Sequence, residues 1–438
     1  MSEETSEKSS RKAPRGLEKR TLAGAAVLAL VFFAQVFSLF APLDRFLSDR
    51  RFELAERPAS GDVVFVAIDK KSLEAIGTWP WPRTVHAEIV DRLRELGARD
   101  IVFDIDFSTP SQPENDAAFA EAIARAEGIV TLPVFLQRPE ADGPDGAPVV
   151  TMPIPMLADR SWLAAVNVFP DPDGAVRRFP AALGTGDSTI ASIPTAITAT
   201  GGGADTEIGI EFAIDPATVP TVSVADLLKD GAAAGQFANR TAVIGAYATE
   251  LRDVYTVPKH GVVPGALLQI LAAETLLADR DVTRPDATAM ELAAIALVTA
   301  LLFALRRKSS LAAGLTFAAV SAAAEAGAAH LYLAYGVMIP TAFIHVATLC
   351  AFGIHTAITS DFFRRLSREA GINARNMRRV LEKVVRDNFD AIVVIDERSR
   401  VLQASAAVPD VFGTGEPVPE TGMPAAAFLP ERLCAEAA

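Results

Sequence analysis

Four long apolar runs divide the chain. One lies near the start, Leu22–Phe40, and three follow in close succession after a long mixed stretch: Ala289–Leu305, Leu311–Leu333 and Tyr335–Ile358. A helix needs ~20 mostly apolar residues to cross ~30 Å of hydrocarbon. Lipid offers no partner to unpaired backbone groups, so such runs are read as helices. The basic residues then set orientation. Lys8, Arg11, Lys12, Arg15, Lys19 and Arg20 precede the first run, and Arg306-Arg307-Lys308 close the second. Arg364, Arg365, Arg368, Arg375, Arg378 and Arg379 follow the fourth, while the turn around Leu333–Gly336 has no Lys or Arg. With four crossings all three clusters fall on one side; with any one removed they do not. Residues 1–21 and the C-terminus are therefore expected in the cytoplasm and residues 41–288 outside. A cleaved signal peptide is the rival for the first run. Phe37–Pro42 lacks a small-x-small cleavage site, and the run is longer than a usual signal core, which favours an uncleaved anchor.

Between the first and second runs the pattern is that of an α/β domain. Val63–Asp69 and Ile101–Asp106 are short, β-branched, unalternating runs, as expected of strands covered on both faces. Between them Thr84–Leu96 places Val85, Ile89, Leu93 and Leu96 at helical intervals, with Gly97 to cap its end. Asn115–Ala126 reads as a helix and Ile129–Phe135 as a strand. Val224–Leu228 reads as a helix with Ser223 as N-cap. Arg240–Gly245 follows as a strand and Gly265–Leu277 as a helix. Strands alternating with helices predict a mostly parallel sheet. Pro139–Pro148 and Pro170–Gly174 read as surface loops.

Composition changes the picture in two places. The formal net charge is −13, and with the basic flanks assigned to the membrane boundary the acidic excess falls in the outer domain and the C-terminal segment. An acidic outer domain argues against nucleic acid as a partner. Of the two cysteines, Cys350 lies inside a span and Cys434 near the end, so the outer domain has to hold together without disulfides.

Several motifs in this stretch form a specific series. Ile68-Asp69-Lys70-Lys71-Ser72-Leu73 is followed by Gly77-Thr78-Trp79-Pro80-Trp81-Pro82-Arg83, His86 and Gly97-Ala98-Arg99. Phe103-Asp104-Ile105-Asp106-Phe107 comes next with Ser108 and Pro110, then Asn167-Val168, Asp171-Pro172-Asp173-Gly174 and Arg177-Arg178. Ile244-Gly245-Ala246-Tyr247-Ala248, Asp253 and Pro264-Gly265 close it. In this order they resemble CHASE type 2 domains, the extracytoplasmic sensor modules of bacterial signalling receptors, over nearly all of residues 44–278. The resemblance implies a sensor in the bacterial inner membrane, followed by three spans.

Asp69, Asp104 and Asp106 stand at or near the carboxyl ends of predicted parallel strands, where open α/β sheets bind ligands. They are read as a ligand or cation site, with Trp79, Trp81, Arg83 and Arg177 as further candidates. The plainer reading is helix capping and ion pairs with Arg83, Arg99 or Arg177. Asp104 and Asp106, two apart, point to one sheet face. The Trp79–Arg83 loop clamps a small molecule or, alternatively, packs over the sheet edge with Pro82 starting a helix. Asp171–Gly174 has turn chemistry and lacks the acidic spacing of a calcium loop. No metal, cofactor or catalytic motif is indicated. His86 and His260 are the only histidines outside the spans, and His86 is read as a surface helix residue. Glu325, inside the third span with His330 near it and His345 and His355 in the fourth, is a candidate relay. The alternative is a helix–helix hydrogen bond.

Beyond the spans, Phe362–Arg386 reads as a charged signalling helix able to pair with its copy as a short coiled coil. Residues 387–438 resemble the first part of a PAS domain, through the strand Asn388–Asp396, the turn Glu397–Ser399, the strand Val401–Ala404 and a short helix up to Phe412 and Gly413. Ser405 stands where that family often has Asn. A domain of this kind needs ~100 residues, and no kinase, cyclase, or diguanylate cyclase or phosphodiesterase segment follows. The expectation is either a piece of a longer receptor or a product without its output.

The fold expected is thus an α/β extracytoplasmic sensor domain, four transmembrane α-helices and a partial α+β PAS-like segment. The function expected is signal transduction: an extracytoplasmic small molecule or protein is detected, and a homodimer embedded in membrane lipid carries the change inward. A tethered α/β enzyme and a protein-binding scaffold are the alternatives.

Overall fold

The computed structural model describes residues 15–137, 149–184, 188–229, 235–359, 383–384, 390–396, 398–412, 418–427, 429 and 432. The chain forms two compact units, Met1–Ala304 with Leu311–Phe352, and Leu305–Ser310 with Gly353–Ala438.

The first unit is built on β1 (Val63–Ile68), a six-residue apolar strand with every residue buried. It pairs in parallel with β10 (Thr221–Ser223) on one side and β11 (Thr241–Ala246) on the other. The sheet continues in parallel through β2 (Asp100–Asp104), β3 (Val130–Gln137) and β5 (Trp162–Ala165). The one antiparallel strand is β4 (Val149–Thr151), paired to the end of β3. Alternate residues of β1 serve opposite faces, as pleating requires. Val64, Val66 and Ile68 pack with Ile89, Val90 and Leu93 of α4 (Arg83–Glu95) and Phe119 and Ile123 of α5 (Pro113–Arg125). Val63, Phe65 and Ala67 pack with Ile193 and Ile197 of α7 (Ile193–Thr198) and Ala266, Leu267 and Ile270 of α9 (Gly265–Leu277). Two apolar faces per strand explain the unalternating sequence. Full burial of each such side chain contributes roughly 1.5–3 kcal/mol.

The short helices α3 (Lys70–Ile76), α6 (Pro155–Ala158) and α8 (Val224–Leu227) complete the layers. Ser223 precedes α8 as expected but does not cap it. Its hydroxyl donates to Asp69, and the Ser72 hydroxyl accepts from the Ala225 amide instead. The strand pairs β6 (Arg178–Pro180) with β9 (Glu207–Gly209), β7 (Ala182–Gly184) with β8 (Thr189–Ala191), and β12 (Val254–Val257) with β13 (Gly261–Pro264) surround the sheet. The expected turn at Asp171–Gly174 forms, with the Gly174 amide donating to the Asp171 carbonyl and Gly174 at φ +82°. The expected loop Pro139–Pro148 lies outside the described residues.

The membrane region departs from expectation. The first run forms α1 (Arg15–Val36) and stops short of Phe40. Ser38 takes a positive φ, Pro42 opens α2 (Ala41–Arg51), and the chain bends by 76°. The helices α10 (Thr288–Ala304) and α11 (Ser310–Tyr335) follow. The expected span Tyr335–Ile358 is corrected to α12 (Ala342–Thr359). Tyr335 ends α11, Gly336 turns at φ +71°, and the Met338 amide donates to the Thr283 carbonyl. Val337 bridges Thr283, and the Ile339 carbonyl and Thr341 hydroxyl take the Arg51 side chain, so α12 starts late. Among the described residues two helices are therefore long and apolar enough to cross a membrane, three if the bent α1–α2 pair is one span, and not the four expected.

A third apolar cluster joins these parts. Phe52, Phe179, Ile208, Phe212, Leu268 and Leu271 of the outer domain pack with Tyr332 of α11 and with Met338. In the second unit, β14 (Val393–Ile395) and β15 (Val401–Ala404) form an antiparallel hairpin followed by α13 (Val408–Phe412). The Ser405 hydroxyl donates to the Asp390 carbonyl and accepts from the Ile392 amide, closing the hairpin. Of the expected signalling helix, 362–382 and 385–386 lie outside the described residues, as does most of the remaining C-terminal segment beyond Phe412.

Candidate functional site

Because β1, β11, β2 and β3 run parallel, their carboxyl ends share one edge. There Ile68, Asp104, Ala246 and Phe135 meet Asn167, Asp253, Tyr255 and Gln269 around a cavity of about 290 Å³. Asp104 ends β2, Asp253 precedes β12, and Gln269 reaches in from α9 with its amide nitrogen on the Val166 carbonyl at 2.7 Å. Asp106 and Trp79 stand at the same cavity. Gly245 lets α9 lie close to β11: a methyl there would collide with Ala266 and touch Asp104.

Both carboxylates are held above their ordinary range. Burial pushes Asp104 up to about 7, with the Asp253 carboxylate adding to the rise. Burial also raises Asp253. Tyr255 is raised by burial, then by Asp253 and Asp104. None of Arg83, Arg99 and Arg177 pairs with Asp104 or Asp106; the first takes Asp116, the second Asp100, the third Asp49, Asp171 and Asp173. Among the described residues no group of three or more His, Cys, Asp or Glu side chains is arranged to hold a metal ion.

With a carboxylate pocket at the sheet edge of a domain flanked by apolar helices, one comparison decides the family. The CHASE2 domain matches residues 24–305, more than half of the chain. The chain belongs to the CHASE2 family. No curated protein and no solved structure matches it. CHASE2 domains are extracellular sensory domains of signalling receptors, not catalytic ones. The match exceeds the 44–278 expected, taking in most of α1 and all of α10.

In this CHASE2 protein most of the other expected site residues are engaged by neighbours within the domain. Asp69 caps α3, accepting from the Ser72 amide at 2.8 Å, the Ser72 hydroxyl at 2.6 Å and Ser223 at 2.8 Å. Burial works to raise it, and these hydrogen bonds outweigh burial and hold it low. Arg83 is buried against Asp116 at 2.7 Å and donates to the Phe107 and Thr109 carbonyls. The Trp81 indole donates to the Gly77 carbonyl at 2.9 Å. Asp106 is exposed and accepts from the Ser108 amide. His86 is corrected: it is 2% exposed, not a surface residue, and its neighbours are Trp79, Trp81, Phe103, Phe107 and Phe119. Burial pushes its pKa down to about 4.

Arg177 and Glu325 belong to a junction centred on α2. Arg177, 4% exposed, binds Asp49 of α2 together with Asp171 and Asp173 of the turn. Arg45 of α2 also reaches Asp173, at 3.1 Å. On the membrane side Arg51, 1% exposed, pairs with Glu325 at 2.9 Å and donates to the Ile339 carbonyl and Thr341 hydroxyl. Asp44 accepts from the Ala342 amide at the start of α12. Glu325 also accepts from Thr341 and meets His345 at 3.2 Å, and His345 meets Ser321 at 2.6 Å. His330 is exposed and has no place in this network. Sequence reasoning missed Asp253, Tyr255 and Gln269 as pocket residues, and missed Arg51. Arg51 had a signal: Arg50-Arg51 lie close after the first apolar run.

Proposed function

We propose that this CHASE2 protein is a membrane receptor whose outer domain binds a small organic cation between Asp104 and Asp253. The observation that carries this is Asp104, held near a pKa of 7 with a second carboxylate at the same cavity and, among the described residues, no cation paired with it. A bound ammonium or guanidinium relieves their repulsion. Trp79 and Tyr255 offer ring faces of the kind that attract cations, and Ile68, Val166, Val168 and Leu251 accept its alkyl part.

Transmission runs through α9. Its Gly265 and Gln269 line the pocket, while its Leu268 and Leu271 pack in the cluster that holds Tyr332 of α11. A ligand shifts such an arrangement by binding one state more tightly than another. The α2 junction then carries the change to Glu325 and the start of α12. In the orientation proposed the outer domain is extracytoplasmic and both chain ends are cytoplasmic, in a bacterial inner membrane. The basic residues Lys19, Arg20, Arg306, Arg307 and Lys308 support it. So does the Thr359 hydroxyl, 3.2 Å from Ser310, which brings the end of α12 to the start of α11. A homodimer coupled through 362–386 to a PAS-like segment completes the reading.

The test is thermal unfolding of the purified full chain with a linear diamine, free arginine or choline. At least one of these raises the midpoint of the wild type and has no effect on Asp104→Asn or Asp253→Asn. If none does, or if the variants respond like the wild type, the cation reading fails.

A further inference from the structure

The outer face of α2 is unlike the rest of the outer domain. Asp44, Arg45, Asp49 and Arg51 all turn inward to the junction. What remains outside on the helix is Leu43 and Phe46, with Phe46 55% exposed, and then Arg50; Leu39, in the turn before the helix, is exposed as well. The Arg50 guanidinium lies 5.3 Å from the Phe46 ring centre and pairs with Glu53. The exposed apolar residues Phe33, Val36 and Phe37 stand at the outer end of α1.

We propose that α2 is an interfacial helix, lying in the outer leaflet with Leu39, Leu43 and Phe46 among the acyl chains and Arg50 at the phosphates. Three observations commit this face to lipid. The helix has 11 residues, about 16 Å at 1.5 Å per residue, too short to cross ~30 Å of hydrocarbon. The 76° bend turns it away from the direction of α1, as a helix lying in the membrane plane must turn. Its exposed apolar residues follow in sequence on those at the end of α1, Phe33, Val36 and Phe37, with Ser38 at the bend as the one exposed polar residue between Phe37 and Leu43. A helix with a polar face engaged and an apolar face free partitions to the headgroup–acyl boundary, and Arg extends its charge to the phosphates while its stem stays among apolar groups. The consequence goes beyond ligand sensing. The same helix holds Arg177 of the outer domain and Glu325 of α11, so the bilayer surface becomes a third party to the junction.

The experiment is spin labelling in proteoliposomes of the full chain, with Cys350→Ala and Cys434→Ala as background. Labels are placed by Leu43→Cys, by Phe46→Cys and, as a water-exposed control, by Lys70→Cys. Labels at 43 and 46 are expected to relax several-fold more with oxygen than with a water-soluble nickel chelate, and the label at 70 the reverse. Preference for nickel at 43 and 46 overturns the proposal. So does dipolar broadening with both reagents excluded, which means that a second copy of the chain covers the face. Circular dichroism matching the parent separates either outcome from misfolding.

Discussion

The Arg51 guanidinium sits 2.9 Å from the Glu325 carboxylate, across 274 residues of sequence, and ties the helix entering the outer domain to the second long membrane helix. Glu325 also meets His345 and accepts from Thr341, but Arg51 is the permanent cation it pairs with. Removing one partner of a buried pair typically costs ~3–5 kcal/mol, and Glu325 is only part-buried. Glu325→Ala is therefore expected to destabilise the detergent-solubilised chain by about 3 kcal/mol, at the low end of that range. The double variant Arg51→Leu, Glu325→Leu is expected to recover most of it. Thermal melts of the three variants check this; a double variant no better than the single one means that the carbonyl and Thr341 bonds of Arg51 dominate.

Asp104 gives stability a pH dependence of known sign. Its folded pKa, about 7, lies above the 3.8 of the unfolded chain. Its stabilising contribution is fully present below about pH 3.8, declines as pH rises towards 7, and stays lost above that. Asp104→Asn is expected to melt higher than the wild type at pH 8, with the advantage shrinking by pH 4. Unfolding of both proteins across this range decides it; parallel curves contradict the assignment.

His86 acts in the opposite direction. Its folded pKa of about 4 lies below the unfolded 6.5, so folding excludes the proton. Stability falls as pH drops from 6.5 towards 4, by on the order of 3 kcal/mol for a shift of this size. His86→Phe keeps a ring among Trp81, Phe107 and Phe119 and is expected to resist acid unfolding better. The urea midpoint at pH 5 against pH 7 measures it.

Arg177 separates binding from coupling. Arg177→Ala leaves Asp49, Asp171 and Asp173 facing one another without their shared cation. The outer domain is expected to melt lower while affinity at the Asp104 pocket changes less than about twofold. Arg177→Lys is expected to recover only part, because one ammonium cannot serve three carboxylates bidentately. Calorimetric titration with the stabilising cation checks the affinity; a large loss would place Arg177 in the binding site.

The sequence by itself determined the elements whose environment is uniform along the chain. β1, β2 and β11 announce themselves because both their faces are covered, so every residue is apolar; α4, α5 and α9 do so through helical spacing and caps. The motif series placed the chain in its family, and Asp104 and Asp106 were legible as edge residues because parallel strands share one carboxyl end. Only the tertiary structure decided which carboxylates act together. Asp69 and Asp104 end neighbouring runs that look alike in sequence, yet one is satisfied by Ser72 and Ser223 and the other faces Asp253 from 149 residues away. His86 likewise has the pattern of a helix surface until α5 and the Trp79–Pro82 loop fold over it. Hydropathy reads the length of an apolar run and not where its backbone is needed. Residues 37–40 turn the chain at Ser38, and Gly336–Met338 pair with Thr283; helical spacing carries no record of such a long-range contact.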